Sequence, residues 1–261
     1  MMQHCSRARS HPVILDAFAA IAAMLVAGIA SAAEPASSSG TLQFWFVRHA
    51  ESELNVESIS QKGADEGMSY PLTRSGVQQA MSLADELASV PIASVYSSTR
   101  LRAIQTADAI AFRHGLNVNL SPEAVEIELG IANDAPEGRQ LYRELMRKWV
   151  IDRDLNAHVG NGESFSDAQR RFLPFVRELM NRHADDTGVV IIISHSATLG
   201  VFVPILAPNV PTDFALTHPL PTAGVIKTEL RDGKLFCIEW AGILQSDFGA
   251  PAPAAQQVRS R

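Results

Sequence analysis

The chain is poor in cysteine, with only Cys5 and Cys237 among its 261 residues. Cys5 lies in an amino-terminal segment that we expect to be removed, and a single remaining thiol cannot form an intramolecular disulfide. Cys237 falls in a predicted strand, where a lone cysteine is more often a small buried hydrophobic residue than a reactive thiol. We therefore expect a fold that is stabilised by its core and not by disulfides.

The chain also has no excess of positive charge. Its 22 basic and 28 acidic residues give a net charge of −6 at pH 7, which does not suggest nucleic acid or an anionic membrane surface as a partner. No cluster of His, Cys, Asp and Glu at metal-ligand spacing stands out in the sequence, so we expect neither a metal nor an organic cofactor. Any anion site must be a local concentration of arginine and histidine.

Residues 1–33 are typical of a secretory signal peptide. Arg7 and Arg9 form a basic start, residues 18–29 are apolar and rich in alanine, and residues 30–33 (ASAA) offer a small-residue cleavage site. An uncleaved membrane anchor is the alternative, because the apolar part approaches the roughly 20 residues that span a bilayer. Under both interpretations the rest of the chain is expected outside the cytoplasm, as a secreted, periplasmic or cell-envelope protein.

The remaining sequence predicts a linker at 34–41, one domain at 42–247 and a disordered tail at 248–261 that contains an Ala-Pro-Ala-Pro-Ala run. Within the domain, short apolar runs alternate with stretches of helical periodicity. The runs that predict strands are 42–47, 92–96, 188–193, 224–230 and 234–241, and the helical stretches are 74–90, 139–152 and 165–184. This alternation predicts an α/β fold, a three-layer α/β/α sandwich with a mostly parallel central sheet.

Two histidines follow the ends of two predicted strands. Arg48 and His49 come directly after the strand at 42–47, and His195 follows the strand at 188–193. Ligands of α/β proteins bind beyond the carboxyl ends of the strands, so both histidines lie where chemistry is expected. A single histidine in such a place is more often packed or solvated than catalytic, and the pattern alone is a weak signal.

Further motifs make the pattern specific. In chain order they are RHAESELN at 48–55, PLTRSGVQQA at 71–80, SSTRLRAIQTA at 97–107, GES at 162–164 and SH at 194–195. Together they resemble the signature of the histidine phosphatase superfamily, also called the phosphoglycerate mutase-like family. The resemblance extends from about residue 42 to about residue 244, and five matching segments in one order are hard to produce by chance.

The resemblance implies a phosphomonoesterase that needs no metal and forms a phosphohistidine on His49. Arg48 and Arg102 would hold the phosphoryl oxygens, a role that suits the planar and permanently charged guanidinium group. His195 would donate a hydrogen bond to the same oxygens as negative charge develops on them. The other residues expected to bind the substrate, a small-molecule or protein phosphate ester, are Asn55 and Ser196.

The resemblance also implies a proton donor to the leaving group, which in this family is usually a glutamate, often four residues before a glycine. Glu126 fits this spacing before Gly130 and is preferred. Glu128 is the rival, because side chains two residues apart in extended backbone point to the same face. The segment at 131–138 departs from the family's usual continuation, which leaves the choice between the two glutamates open.

Two other functions remain as alternatives. The first is a phosphoglycerate mutase-type phosphotransferase, although the long signature that such mutases carry after Asn55 is not evident. The second is an inactive relative that binds phosphorylated ligands. Retention of Arg48, His49, Arg102 and His195 argues against an inactive protein, which has no need of a nucleophile.

Overall fold

A computed structural model describes residues 41–56, 70–130 and 136–249. In these ranges a seven-stranded sheet has the order β3-β2-β4-β1-β5-β6-β7. The strands are β1 (Gln43–Arg48), β2 (Ile92–Ser97), β3 (Val118–Leu120), β4 (Val189–Ser194), β5 (Val225–Arg231), β6 (Lys234–Trp240) and β7 (Ile243–Leu244). The first four pair in parallel, and β5, β6 and β7 continue the sheet antiparallel.

Helices cover both faces of this sheet. They are α1 (Glu53–Val56), α2 (Arg74–Glu86), α3 (Leu101–His114), α4 (Pro136–Val150), α5 (Phe165–Arg182), α6 (Ser196–Leu206) and α7 (Phe214–Thr217). Alternate side chains of β1 point to opposite faces, so Trp45 and Val47 pack with α2 and α3, whereas Phe44 and Phe46 pack with α4, α5 and α6. The predicted three-layer sandwich is confirmed.

The register of the two central strands brings the two histidine motifs together. β1 and β4 are parallel neighbours in which Arg48 lies opposite Ser194. The main-chain N–H of His49 donates to the carbonyl of Ser194 at 3.0 Å, which extends the pairing by one residue. His49 and His195 therefore leave the sheet side by side at its carboxyl edge.

The hairpin turns of the antiparallel part depend on left-handed backbone. Asp232 and Gly233 have φ angles of 49° and 74° and join β5 to β6, the backbone that an Asp-Gly hairpin turn adopts. Ala241 and Gly242, at 45° and 88°, form a second turn that leads into β7. Neither this turn nor β7 was predicted.

The predicted carboxyl-terminal boundary needs a correction. The disordered tail was expected from residue 248, but Phe248 is buried with its ring centroid 5.1 Å from that of Phe214. Phe248 therefore belongs to the folded domain. The rest of the predicted tail from residue 250, the predicted signal peptide at 1–33 and all but the last residue of the predicted linker at 34–41 lie outside the described residues.

Within the described ranges, none of the helices combines the length and the apolar character needed to cross a bilayer.

Candidate active site

A pair of buried histidines forms the centre of the site. His49 and His195 follow β1 and β4, their ring centroids are 5.1 Å apart, and their side chains are almost fully removed from solvent. Burial disfavours the charged form of an imidazole, because a charge loses its hydration in the protein interior. Two neutral histidines thus lie edge to face at the end of the sheet.

His49 has one unprotonated ring nitrogen, whose lone pair is directed at Arg102. Its Nδ1 is 2.7 Å from the carbonyl oxygen of Ala50, which can only accept, so Nδ1 carries the hydrogen. Nε2 is therefore unprotonated and accepts a hydrogen bond from Nε of Arg102 at 3.1 Å. Burial lowers the pKa of His49 to about 3, and the charges of Arg102 and Arg48 add to this effect. At neutral pH the ring is an uncharged nucleophile.

His195 is oriented by Arg102 and Ser98. A terminal nitrogen of Arg102 donates to Nδ1 of His195 at 3.2 Å, so the hydrogen is on Nε2, which donates to Oγ of Ser98 at 2.8 Å. Burial lowers the pKa of His195 well below its usual value, and the proximity of His49 and of Arg102 acts in the same direction. Ser98 lies in the motif at 97–107, but the sequence alone does not indicate a role for it.

Arg48 and Arg102 supply the positive charge of the site. β2 is the parallel neighbour of β4 and leads into α3, which places Arg102 at the same edge as Arg48, the last residue of β1. Burial lowers the pKa of Arg102 to about 10 and also lowers that of Arg48, although nearby Glu126 opposes the change in both. Both guanidinium groups stay charged at neutral pH.

One donor of Arg48 is available to a ligand. A terminal nitrogen donates to the carbonyl of Leu220 at 2.7 Å, but the buried Nε has no hydrogen-bond partner among the described residues. Leaving a buried donor unsatisfied costs about 1–3 kcal/mol. An anion bound at the end of β1 would remove this cost.

The carboxylate of Glu126 lies against the amino terminus of α6. Among the described residues, its Oε1 accepts from the main-chain N–H groups of Ile127 (3.0 Å) and Thr198 (2.9 Å) and from the hydroxyl of Thr198 (2.9 Å). Its Oε2 accepts one bond, of 3.2 Å, from the N–H of Ala197. Since His195 directly precedes α6, these contacts hold Glu126 beside the histidines. Oε2 accepts fewer of these hydrogen bonds than Oε1.

Glu128, the rival of Glu126 in the sequence, points elsewhere. Its side chain is 68% exposed and forms a 2.9 Å ion pair with Arg100. The two glutamates therefore do not share a face, because the chain after the short 3₁₀ helix Pro122–Ala124 does not continue as a strand.

The other two predicted binding residues are more exposed than the histidine pair. Asn55 is exposed on α1, and its Oδ1 accepts hydrogen bonds from the N–H and the hydroxyl of Ser52, each at 2.9 Å. Ser196 is partly exposed as the first residue of α6.

Sequence reasoning missed Tyr142, which α4 brings to the site. Burial raises the pKa of Tyr142 to about 12, the charge of Glu126 adds to the shift and that of Arg48 opposes it. The hydroxyl therefore stays protonated near the proposed acid and one arginine. No pattern in the sequence connects α4 to the strand ends, so the position of Tyr142 at the site follows only from the fold.

The arrangement as a whole has the chemistry of phosphoryl transfer. A neutral imidazole with an unprotonated ring nitrogen is a nucleophile, and two guanidinium groups beside it match the charge of a phosphoryl group. Across the described ranges no group of three or more His, Cys, Asp and Glu residues could hold a metal ion. Fixed positive charge at this edge of the sheet comes from arginine side chains.

The fold and the site define a known class of protein. Residues 44–242 match the sequence model of the histidine phosphatase superfamily (branch 1), and the chain belongs to this family. The predicted family is confirmed.

Curated relatives within the family include both mutases and phosphatases. The chain is 29% identical over 164 residues to a probable phosphoglycerate mutase of Proteus mirabilis, a match that covers 61% of this chain and 72% of the relative. It is 32% identical over 156 residues to phosphoserine phosphatase 1 of Hydrogenobacter thermophilus, which covers 59% and 70% of the two chains.

Solved structures of related proteins have the same fold. YhfR of Bacillus stearothermophilus superposes with a TM-score of 0.62 at 26% identity, over 78% of this chain and 98% of the other. A mycobacterial glucosyl-3-phosphoglycerate phosphatase gives a TM-score of 0.61 at 23% identity, over 76% and 98%. Family membership thus defines phosphoryl-transfer chemistry, which is common to hydrolysis by phosphatases and transfer by mutases.

Proposed function

We propose that the protein is a phosphomonoesterase that forms a phosphohistidine on His49. One observation carries the proposal: Nε2 of a neutral, buried His49 has its lone pair directed at Arg102, 3.1 Å away. A phosphoryl group that binds beside Arg102 therefore lies next to Nε2 of His49, the attacking nitrogen. The catalytic residues in this proposal are His49, Glu126, His195, Arg48 and Arg102.

In the first step, Nε2 of His49 attacks phosphorus and the bond to the leaving oxygen breaks. Arg102 moves its hydrogen bond from Nε2 to the phosphoryl oxygens, where Arg48 also donates. His195 joins them when its Nε2–H turns from Oγ of Ser98 to a phosphoryl oxygen. Glu126 transfers a proton from its carboxyl group to the leaving oxygen, so an alcohol departs. In the second step, a water molecule gives a proton back to Glu126 and attacks the phosphohistidine, which releases inorganic phosphate and restores His49.

Hydrolysis is preferred to transfer on two grounds. The phosphoserine phosphatase relative is the more similar of the two curated relatives by identity, and the sequence lacks the mutase signature after Asn55. The mutase alternative differs only in the second step, where a substrate hydroxyl replaces water as the acceptor. Incubation with a phosphoglycerate separates the two, because the phosphatase releases inorganic phosphate and the mutase returns an isomer.

We further propose that the protein acts outside the cytoplasm. The support is the sequence of residues 1–33, with its basic start, apolar stretch and small-residue site. An exported enzyme of this kind would meet phosphate esters of the periplasm, the cell envelope or the medium.

The test of the proposed chemistry is to trap the intermediate. Rapid mixing with a labelled aryl phosphate and denaturation should leave an acid-labile, base-stable label on His49, and His49→Ala should lose both label and turnover. His158→Ala, which changes an exposed histidine, is the matched control and should retain both. Turnover by His49→Ala at a rate near that of the wild type would rule out the phosphohistidine.

A further inference from the structure

We infer that Arg171 and Glu163 are positioning residues that set the place of Glu126, an inference that rests on the proposed function. Arg171 lies on α5 with a side chain that is 19% exposed. One terminal nitrogen donates to the carbonyl oxygens of Glu123 (2.7 Å) and Val125 (2.9 Å), and the other donates to that of Glu126 (3.3 Å). One guanidinium group thus holds the main chain of the segment that carries the proton donor.

Glu163, the central residue of the GES motif, fixes this guanidinium in turn. Its carboxylate accepts from Nε and from a terminal nitrogen of Arg171 at 2.9 Å each, the paired geometry that aligns both groups. Burial alone would raise the pKa of Glu163, but the hydrogen bonds from Arg171 and from the N–H of Glu128 outweigh it and lower this pKa. The pair is therefore ionised throughout the neutral range.

Glu163 also holds the chain on the far side of the proton donor. Its carboxylate accepts from the N–H of Glu128 at 2.9 Å, and its own N–H donates to the carbonyl of Glu128 at 2.6 Å. The main chain is consequently fixed on both sides of Glu126. The side chain of Glu126 reaches from this fixed segment to the amino terminus of α6.

Other contacts of the segment do not depend on the pair. The hydroxyl of Ser194 donates to the carbonyl of Ala124 at 2.7 Å. The hydroxyl of Thr198 shares its one hydrogen between the carbonyl of Val125, at 3.0 Å, and Oε1 of Glu126. Loss of Arg171 should therefore loosen the segment and leave it attached to β4 and α6. A displacement of about 1 Å can cost about 100-fold when geometry limits a catalytic step.

The loss should depend on the leaving group, which a purely structural role would not produce. A nitrophenolate leaves without a proton, whereas an alkoxide needs one from Glu126. The charge of Arg171 also contributes to the low pKa of His195, but His195 acts on the phosphoryl oxygens that all substrates share. A change at His195 would therefore slow both substrate types equally.

The experiment compares kcat/KM for glycerol phosphate and for 4-nitrophenyl phosphate in purified Arg171→Met, Glu163→Gln and Arg177→Met. Arg177 is an exposed arginine of the same helix and serves as the matched control. We expect the ratio of aryl to alkyl activity to rise by about 10- to 100-fold in Arg171→Met, to rise less in Glu163→Gln and to stay unchanged in Arg177→Met. In a Glu126→Gln background, Arg171→Met should change this ratio less than about twofold, because the donor is already absent.

Equal losses on both substrates, or a full further change in the Glu126→Gln background, would overturn the inference. Should Arg171→Met fail to fold, Glu163→Gln decides the question by the same ratio. Failure of the proposed function has a different signature, since the folded wild type would then release phosphate from neither substrate, and the inference would fall with it. A wild type that hydrolyses both esters, with a ratio that Arg171→Met leaves unchanged, would reject the positioning role alone.

Discussion

The state of His49 links the chemistry of the site to the pH dependence of stability. Its pKa is about 3 in the folded protein, against about 6.5 for an unperturbed histidine. Between these values the unfolded chain binds a proton that the folded protein excludes, so stability is complete above pH 6.5 and falls as the pH drops towards 3. The loss from this one residue approaches about 1.4 kcal/mol per pH unit.

His49→Gln should therefore flatten the decline of stability in acid. We expect the free energy of unfolding, measured with urea at pH 7.5 and pH 5, to fall more in the wild type than in His49→Gln. His158→Gln changes an exposed histidine and should behave like the wild type. Parallel declines in the wild type and His49→Gln would contradict the buried neutral state of His49.

The two glutamates can be separated by their effect on different leaving groups. Glu126 lies beside the histidines, so Glu126→Gln should slow alkyl phosphates by about 10²–10⁴-fold and aryl phosphates far less. Glu128→Gln removes only an exposed ion pair with Arg100 and should be nearly silent on both substrate types. Steady-state kinetics with one substrate of each type checks this, and a selective loss in Glu128→Gln would exchange the two roles.

Among single residues, the sequence predicts the site residues that lie within its motifs. It does not predict residues that only folding brings near the site. His49, His195, Arg48 and Arg102 all lie within the motifs, and the structure brings them together. Tyr142 lies outside every motif and reaches the site because α4 belongs to the core cluster that also contains Phe44 and Phe46 of β1.

Between elements, two glycines allow a contact of backbone with backbone. A Cβ on Gly162 would lie 2.4 Å from the carbonyl carbon of Leu129, and one on Gly130, whose φ is +63°, would lie 2.2 Å from the carbonyl oxygen of Val159. No side chain fits at such distances. The glycine of the GES motif therefore lets its loop approach the segment that carries Glu126.

Gly162→Ala should push these two segments apart. We expect a loss of stability of about 1–3 kcal/mol, as for other overpacked sites, together with a selective loss of alkyl phosphate hydrolysis. Urea unfolding and kinetics on both substrate types measure the two effects. Gly249→Ala is the control, because a Cβ there meets nothing within 4 Å, and an equally active Gly162→Ala would show that the contact is dispensable.

The order of the central elements could be predicted, but several of their ends could not. Alternation of apolar runs with helical periodicity is strong in the strands and helices that form the core. α4 begins at Pro136, three residues before the predicted start at residue 139. Proline is well suited to a first turn, whereas Gly138 is a poor helix former and weakens the helical signal there. β7 has two residues and follows an Ala-Gly turn, which gives too short a signal to recognise.

For the whole molecule, the prediction concerns the cellular compartment in which the protein acts. Residues 1–33 precede the described residues, which begin at residue 41. We expect mass spectrometry of the secreted or cell-envelope fraction to find a mature amino terminus close to Ala33 or Glu34. A full-length product confined to the cytoplasm would contradict export, and a full-length product in the membrane fraction would favour the uncleaved anchor.

The unsatisfied Nε of Arg48 has a consequence for the binding of inorganic phosphate, the product of the proposed reaction. Arg48 and Arg102 are desolvated cations that lie close together, and a bound tetrahedral dianion would offset their repulsion and accept a hydrogen bond from Nε of Arg48. Inorganic phosphate has that charge and shape and remains after every turnover. By mass action it should both raise the melting temperature and occupy the resting enzyme. On the proposed function, we therefore expect hydrolysis to be slower where phosphate is plentiful than where it is scarce.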